Sequence, residues 1–202
     1  MVRSFFVMDN FVVTATSMVT EADVREAKLG SRFGRLDLAS QLALLAVESL
    51  GIDFESQRRD RIGICLAARA GSLTTDVEYW NGCGGPGGPS PTLFAYTLPS
   101  AAIGEIAIRH RLTGPNLCLV GVNTGLLAEA VQLIRGGEAE SCLCVSCDVI
   151  SPALAQLTHL PATVRACALF LQRNGAGLHV LRENDRDIES LCEVLCAPPS
   201  VN

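Results

Sequence analysis

Short apolar runs alternate with helix-like segments along most of this chain, and this alternation restricts the fold more than any other feature. Runs with β-branched residues predict strands at residues 5–16, 61–67, 117–122 and 141–145. Helical periodicity predicts helices at residues 37–50, 99–111 and 124–135. Because strands that are joined through helices run parallel, we expect an α/β fold with a mostly parallel sheet and helices on its faces.

Turn and cap residues refine these bounds. Asp37 is expected to cap the first helix and Gly51 to end it. Residues 81–91 are rich in glycine and proline and predict a loop. Residues 166–172 and 178–182 flank Asn174 and Gly175, so the pattern predicts a hairpin that closes a sheet of five strands.

The chain has 202 residues, which suits one domain with one core and is short for two. We therefore expect a single domain over residues 1–202. The tail beyond residue 188 contains Pro198 and Pro199 and is expected to form a loose end or a short helix.

Composition and charge exclude several classes of protein. Apolar residues make up 49% of the chain, which predicts a substantial buried core. The net charge is −5 and no basic run is present, so nucleic acid and anionic membranes are poor partners. The first apolar run is interrupted by Asp9 and Asn10, and no stretch is long enough to span a bilayer. We expect a cytoplasmic protein.

The nine cysteines mostly lie inside apolar runs, as Cys65 and Cys118 do. This placement favours reduced, buried thiols over a disulfide framework. Cys142, Cys144 and Cys147 form a C-x-C-x-x-C pattern, but a zinc site would need a fourth ligand and a sharp turn that the sequence does not show. We expect no metal site and no cofactor.

Four segments, in this order and spacing, resemble the N-terminal half of the β-ketoacyl synthases. They are FGRLDLASQLALLAVESLGI, RIGICLAARAGSLTTDVEYW, SPTLFAYTLPSAAIGEIAIRHRLTGPNLCLV and GLLAEAVQLIRGGEAESCLCVSCDV. The likeness covers about residues 33–149 and implies one half of a thiolase-like fold. It also implies acyl-chain condensation, in which a cysteine at a helix tip is the nucleophile and two histidines from the second half of the fold assist decarboxylation.

The sequence departs from this family at the nucleophile. After G-P-N-L the family carries T-A-C before a small residue and a glycine. Here the corresponding run, residues 118–125, is one residue shorter, and the nucleophile position falls on Val122 or Asn123. Neither side chain can be acylated in this role, and Asn123 is expected to be the N-cap of the following helix. We expect no catalytic residue in this chain.

The histidines do not replace the missing machinery. None of His110, His159 and His179 lies in the glycine-flanked settings of the family's catalytic histidines. His110 is expected to be solvated at a helix end, beside two arginines. The chain also ends where the fold's second half would begin, so we expect no condensation by this chain alone.

Three functions remain open at this point. The leading one is a catalytically silent, chain-length-factor-like subunit that pairs with an active β-ketoacyl-acyl-carrier-protein synthase in fatty-acid-like or polyketide assembly. The second is a thiolase-superfamily enzyme that processes acyl thioesters through Cys83 or Cys118. The third is an unrelated α/β binding module.

The third predicted strand is the expected interface. The resembled family pairs this strand across a dimer, and here the strand is apolar on both faces, without a lysine or proline to protect an open edge. We expect a homodimer, or a heterodimer with a full-length ketosynthase, and acyl carrier protein is a further candidate partner. The interface residues are expected to be Leu117, Cys118, Leu119, Val120, Gly121 and Val122.

Overall fold

The structure is a computed structural model that describes residues 10–121, 124–182, 184–185 and 187–197. Its strands are β1 (Phe11–Thr20), β2 (Ile62–Ala68), β3 (Asn116–Val120), β4 (Ser141–Ile150), β5 (Thr163–Arg173) and β6 (His179–Val180). Its α-helices are α1 (Glu21–Glu26), α2 (Leu38–Glu48), α3 (Leu73–Cys83), α4 (Pro91–Phe94), α5 (Ala101–His110), α6 (Leu126–Arg135), α7 (Pro152–Thr158) and α8 (Ile188–Cys196). No helix among these residues is both long enough and apolar enough to cross a bilayer.

The described strands form one sheet in the order β3-β2-β4-β5-β1-β6. The α/β fold with helices on the faces of a sheet is confirmed, but the expected five-stranded, mostly parallel sheet is wrong. Only β2, β3 and β4 pair in parallel, and β5 is antiparallel to both β4 and β1. The sheet is mixed because β5 returns after the short helix α7, without a full crossover.

The expected C-terminal hairpin is also wrong, although its turn is present. Asn174 and Gly175 have φ angles of 59° and 116°, as a tight turn requires. The chain after the turn does not pair with β5, because both edges of β5 are already occupied by β4 and β1. Instead, β6 pairs with β1, where Val180 lies opposite Val12.

The predicted cap residues of α2 are confirmed. The Asp37 carboxylate accepts a hydrogen bond from the Ser40 amide at 3.1 Å, and Gly51 has a φ of 66°, in the left-handed region that favours glycine. The glycine-rich loop starts later than expected, because α3 continues to Cys83. The predicted tail contains α8, whose N-cap is Asp187.

The two faces of the sheet bury different side chains. On one face, α2 and α5 cover an aliphatic and aromatic core that includes Leu42, Ile106, Leu143 and Phe170. On the other face, α6 and α8 cover a core rich in cysteine; its members include Cys65, Cys142, Cys144, Cys167 and Cys192. Six of the cysteines are buried, namely these five and Cys147, in agreement with the prediction of buried thiols.

Candidate functional site

The β3 strand lies at one edge of the sheet and, within the described residues, pairs with β2 alone. Backbone hydrogen bonds at its two ends fix its orientation: the Ile64 amide donates to the Pro115 carbonyl, and the Gly121 amide donates to the Ala68 carbonyl. Successive backbone amides of a strand point to opposite sides, so the amides of Leu117, Leu119 and Gly121 point towards β2 and those of Cys118 and Val120 point away from it. The edge therefore presents backbone donors to an added strand.

The side chains of β3 divide between the two faces of the sheet. Leu117 and Leu119 pack against the cysteine-rich core, and Cys118 packs against the aliphatic core. Val120 is 55% exposed at the carboxyl end of the strand. Five of the predicted interface residues, 117–121, thus lie along one open edge, and the sixth, Val122, lies outside the described residues.

An exposed apolar patch adjoins this edge, and the sequence interpretation missed it. It consists of Val77 and Trp80 of α3, Phe94 of α4, and Leu98. Trp80 is 76% exposed, and the Phe94 ring lies 5.5 Å from the Tyr79 ring, which brings α3 and α4 together. The spacing of Val77 and Trp80, three residues apart on a helix, was the signal that could have revealed this patch.

Gly71 joins the patch to the β3 edge. A Cβ atom at Gly71 would lie 3.2 Å from Pro99 and 3.3 Å from Val120, so these two residues border the same point. Leu98 precedes Pro99 directly and belongs to the patch. Residues 98–99 and the end of β3 therefore lie close together. We give the name edge surface to the open edge together with the exposed apolar side chains of α3, α4 and residue 98: Cys118 and Val120 of β3 with Val77, Trp80, Phe94 and Leu98.

The nucleophile position lies in the connection between β3 and α6. Val122 and Asn123, the two candidates for this position, lie outside the described residues. The N-cap of α6 is Gly125, so the expectation that Asn123 caps this helix is wrong. Gly121 has a φ of 95°, a conformation that favours glycine directly after the strand.

The cysteines proposed as alternative nucleophiles are poorly placed for that role. Cys118 is half-buried, and burial raises the pKa of its thiol, which disfavours the reactive thiolate. Cys83 is exposed but lies in the last turn of α3, where its thiol donates to the Tyr79 carbonyl at 3.4 Å. The carboxyl end of a helix disfavours a negative charge. Neither thiol has the helix N-terminus that activates a catalytic cysteine.

The C-x-C-x-x-C cysteines do not converge on a common point. Cys142 and Cys144 belong to the cysteine-rich core, whereas Cys147 faces the other side of β4 and donates to the Ala39 carbonyl at 3.3 Å. In the part of the chain that the structure describes, no group of three or more His, Cys, Asp or Glu residues is arranged to hold a metal ion.

The expectation that His110 is solvated is wrong. Its ring packs 4.6 Å from the Phe54 ring, and its Nε2 lies 3.7 Å from the Glu48 carboxylate. Burial lowers the pKa of His110, and Glu48 opposes this effect. The other histidines lie apart from it: His159 follows α7, and His179 lies in β6, where its Nε2 is 2.6 Å from Asp185.

A buried chain of ion pairs connects the carboxyl end of β2 to α8. Both the backbone amide and Nε of Arg69 donate to Asp148, each at 2.7 Å, and Asp148 is only 3% exposed. The Arg69 guanidinium also lies 3.5 Å from Glu189 of α8. Glu189 accepts hydrogen bonds from the Ser146 hydroxyl at 3.1 Å and from Arg165 at 2.7 Å. This network fixes α8 on the sheet, and it was not predicted because its members are distant in sequence.

Comparison with known proteins places this architecture in a family. Residues 14–162 match the model of the family described as "Beta-ketoacyl synthase, N-terminal domain". No curated protein sequence matches the chain significantly.

Solved structures of ketosynthase complexes share the fold. The ishigamide ketosynthase/chain length factor has a TM-score of 0.66 and 23% identity over 82% of this chain and 62% of the other. A type II acyl-carrier protein in complex with its hexaketide-bound ketosynthase has a TM-score of 0.63 and 17% identity. The match covers 82% of this chain and 63% of the other. This chain thus spans about three fifths of the length of those two chains.

A third complex contains a chain of nearly the same length as this one. It is the ketosynthase ApeO with its chain length factor ApeC from Xenorhabdus doucetiae, with a TM-score of 0.65 and 18% identity over 94% of this chain and 92% of the other. These likenesses show the thiolase-like fold, and the family match covers most of the sequence. The chain belongs to the β-ketoacyl synthase N-terminal domain family.

Proposed function

We propose that this chain is a catalytically silent ketosynthase-like subunit, similar to a chain length factor, which pairs with an active β-ketoacyl-acyl-carrier-protein synthase in fatty-acid-like or polyketide assembly. The observation that carries the proposal is the edge surface, where an open strand adjoins exposed aromatic and aliphatic side chains. The sequence has no cysteine between Cys118 and Cys142, so the β3–α6 connection holds no thiol. Condensation would then depend on the nucleophile of the partner.

The open edge supplies the first argument for a partner. Cys118 and Val120 direct backbone amides away from β2, and unpaired backbone groups are costly once water is excluded. Natural proteins usually protect such an edge with charge, proline or a bulge. β3 contains no charged residue and no proline that would protect its edge in this way. A strand from a second subunit would satisfy these amides and continue the sheet.

The character of the neighbouring patch supplies the second argument. No Lys, Arg or His occurs between Arg69 and Arg109, and this segment carries the acidic residues Asp76 and Glu78 near the exposed Val77 and Trp80. Exposed Trp and Phe side chains are typical of the anchors in protein interfaces. The surface suits an apolar or basic partner surface and disfavours an acidic one.

The small cavity beside the patch supplies a third argument. Its lining includes Asp37, Ser72, Tyr96, Leu98 and Cys147, and its volume is about 20 Å³. That is enough for a single water molecule and far too small for an acyl chain. An acyl-sized pocket at this place would need walls from a second subunit, which is the arrangement that the proposal implies.

The test is reconstitution with a ketosynthase from the same organism. We expect the purified chain to condense no acyl and malonyl carrier-protein thioesters by itself, and to form a complex of equal stoichiometry with the ketosynthase in light scattering. Condensation by the chain alone would contradict catalytic silence. A stable monomer at tens of micromolar that binds no ketosynthase would contradict the pairing.

Two matched variants locate the interface. Val120→Lys places a charge on the edge surface, and Val180→Lys places the same charge on the opposite edge, at valines that are 55% and 49% exposed. A charge that becomes buried without a partner costs about 3 kcal/mol, so Val120→Lys should weaken the complex roughly 100-fold. Val180→Lys should leave it unchanged. Equal effects of the two variants would exclude the β3 edge as the interface.

A further inference from the structure

A polar cavity lies at the end of the sheet opposite the β3–α6 connection. It borders the first residues of the parallel strands β2 and β4, whereas that connection follows the carboxyl end of the parallel strand β3. Its volume is about 180 Å³, and its polar lining consists of Gln57, Arg58, Arg61, Glu140, Ser141 and Gln172. None of these residues belongs to the edge surface, so the polar cavity is a separate feature of the molecule.

The polar cavity lies where the sheet changes from apolar to polar side chains. In the strand register, Ser141 of β4 lies between Ile62 of β2 and Gln172 of β5. The next row on the same face of the sheet is entirely apolar and belongs to the aliphatic core; it consists of Ile64, Leu143 and Phe170. The polar row therefore borders the end of that core.

Polar groups around this cavity lack hydrogen-bond partners among the described residues. Nε of Arg61 is buried and makes no hydrogen bond, although Oε1 of Glu140 lies 3.5 Å away. Ser141 is only 3% exposed, and its hydroxyl has no partner in the described part of the chain. The same holds there for the side-chain amides of Gln57 and Gln172. Because buried polar groups are nearly always paired, this cluster indicates a polar molecule in the cavity.

Glu140 provides the negative charge of the polar cavity. Nη1 of Arg58, at 3.1 Å, and Nε of Arg61 both approach its Oε1, and no described residue contacts its Oε2. Arg58 also pairs with Asp60 at 3.0 Å. The two arginines and the two carboxylates add up to no net charge. Such a site favours a ligand that carries both charges over a net anion or a net cation.

We propose that the polar cavity binds a small α-amino acid with a polar side chain. The ligand carboxylate is the acceptor that Nε of Arg61 and the Ser141 hydroxyl lack, and the ligand ammonium group is a donor for Oε2 of Glu140. The amides of Gln57 and Gln172 suit a hydroxyl or amide on the ligand side chain. At about 30 Å³ per water molecule, the cavity has the volume of roughly six waters, which matches an amino acid of about seven non-hydrogen atoms.

The test is a nuclear magnetic resonance titration of the isotope-labelled chain with three probes. L-serine carries both charges, ethanolamine lacks the carboxylate, and L-glycerate has a hydroxyl in place of the ammonium group. We expect L-serine alone to shift the backbone amides of residues 57–62, 140–141 and 172 in a saturable manner, with a Kd on the order of 1 mM. The amides of residues 117–121 should not shift. No ketosynthase is needed, so failure of this test would leave the proposed function untouched.

A matched pair of variants tests the role of Glu140. Glu140→Gln removes the charge that holds the ammonium group, so it should weaken L-serine binding roughly tenfold or more. It should also strengthen L-glycerate binding, because Glu140 then no longer neutralises Arg58 and Arg61. Glu21→Gln is the control, since the Glu21 side chain is 44% exposed and pairs with Arg25, as the 54% exposed Glu140 pairs with Arg58. It should leave both affinities unchanged.

Several results would overturn the proposal. They are the absence of saturable shifts at about 50 mM L-serine, equal binding of the three probes, preference of the unsubstituted chain for L-glycerate or ethanolamine, and equal effects of Glu140→Gln and Glu21→Gln. The comparison of the probes on the unsubstituted chain remains decisive even if Glu140→Gln fails to fold.

Discussion

The β3 side and the α8 side of the sheet differ in how the chain covers their strands. On the α8 side, the chain covers its own strands with a helix and fixes that helix through Arg69, Asp148 and Glu189. The edge strand on that side, β6, has only two residues, which limits what it can offer to another chain. On the other side, the five-residue strand β3 ends the sheet beside exposed Trp80 and Phe94.

This difference assigns the stability of the fold and the association with a partner to different sides of the sheet. On the α8 side, a network of ion pairs helps to complete the fold, and on the β3 side, under the proposed function, a partner covers the open strand and the exposed aromatic side chains. Substitutions on the α8 side should therefore change the free energy of unfolding, and substitutions on the β3 side should change the affinity for the partner. A substitution that changes both would weaken the comparison.

The largest effect is expected for Asp148→Asn on the α8 side. It removes the negative charge that Arg69 contacts twice at 2.7 Å, and the loss of one member of a buried pair should lower the free energy of unfolding by about 3 kcal/mol. Urea denaturation measures the change. Asp60→Asn is the matched control, since Asp60 is 59% exposed beside Arg58 and should contribute less than about 1 kcal/mol. Similar losses for the two variants would show that burial of the pair does not matter.

An intermediate effect is expected for Trp80→Ala on the β3 side. Loss of an interface tryptophan should cost about 2 kcal/mol of binding energy, or roughly 30-fold in the Kd for the ketosynthase. The melting temperature of the chain should stay the same, because Trp80 is 76% exposed. Val194→Ala is the control, at a valine of α8 that is 72% exposed. Calorimetric titration in which both variants bind equally would remove Trp80 from the interface.

The smallest effect is expected from acidification through His110, at the end of the helix that leads to β3. Its pKa in the folded state lies below the ordinary value of 6.5, chiefly because of burial, so the unfolded chain binds the proton more readily. The folded state therefore keeps its full stability, as far as His110 is concerned, above about pH 6.5. It loses stability as the pH falls from there towards the lowered pKa of His110. Melting temperatures between pH 7.5 and 5.5 should fall less in His110→Gln than in the unsubstituted chain, and His159→Gln provides a control at an exposed histidine. An unchanged slope in His110→Gln would contradict this assignment.

The parts of the fold that the sequence predicted correctly depend on local signals. The α2 helix is an example, because Asp37 and Gly51 mark its ends by capping and by a left-handed backbone, independently of the rest of the chain. The apolar runs of β2, β3 and β4 likewise predicted strands. The pairing of β1 with β5 was not predicted, because it brings together residues such as Phe11 and Arg173 that no local pattern connects. The two-residue strand β6 was misplaced for the same reason.

The candidate site was predicted in part. The resemblance to the ketosynthases identified β3 as an edge strand, and its residues 117–121 lie on that edge. The patch around Trp80 was missed because the sequence between β2 and α5 was interpreted mainly as a glycine-rich loop. The burial of His110 depends on Phe54, which comes from another element, and the ion pair of Arg69 with Asp148 spans two strands. Such contacts depend on the topology of the sheet, and the residues nearby in the sequence do not predict them.

The late pairing of β1 has a consequence for biosynthesis. Thr20 at the end of β1 pairs with Arg165, so the strand emerges from the ribosome about 150 residues before its partner strand does. At translation rates of about 5–20 residues per second, this apolar strand waits on the order of 10–30 s in a nascent chain. During that interval its hydrogen-bonding edges and the buried side chains Val12 and Val13 have no native partners, so β1 is the segment that a chaperone should protect first.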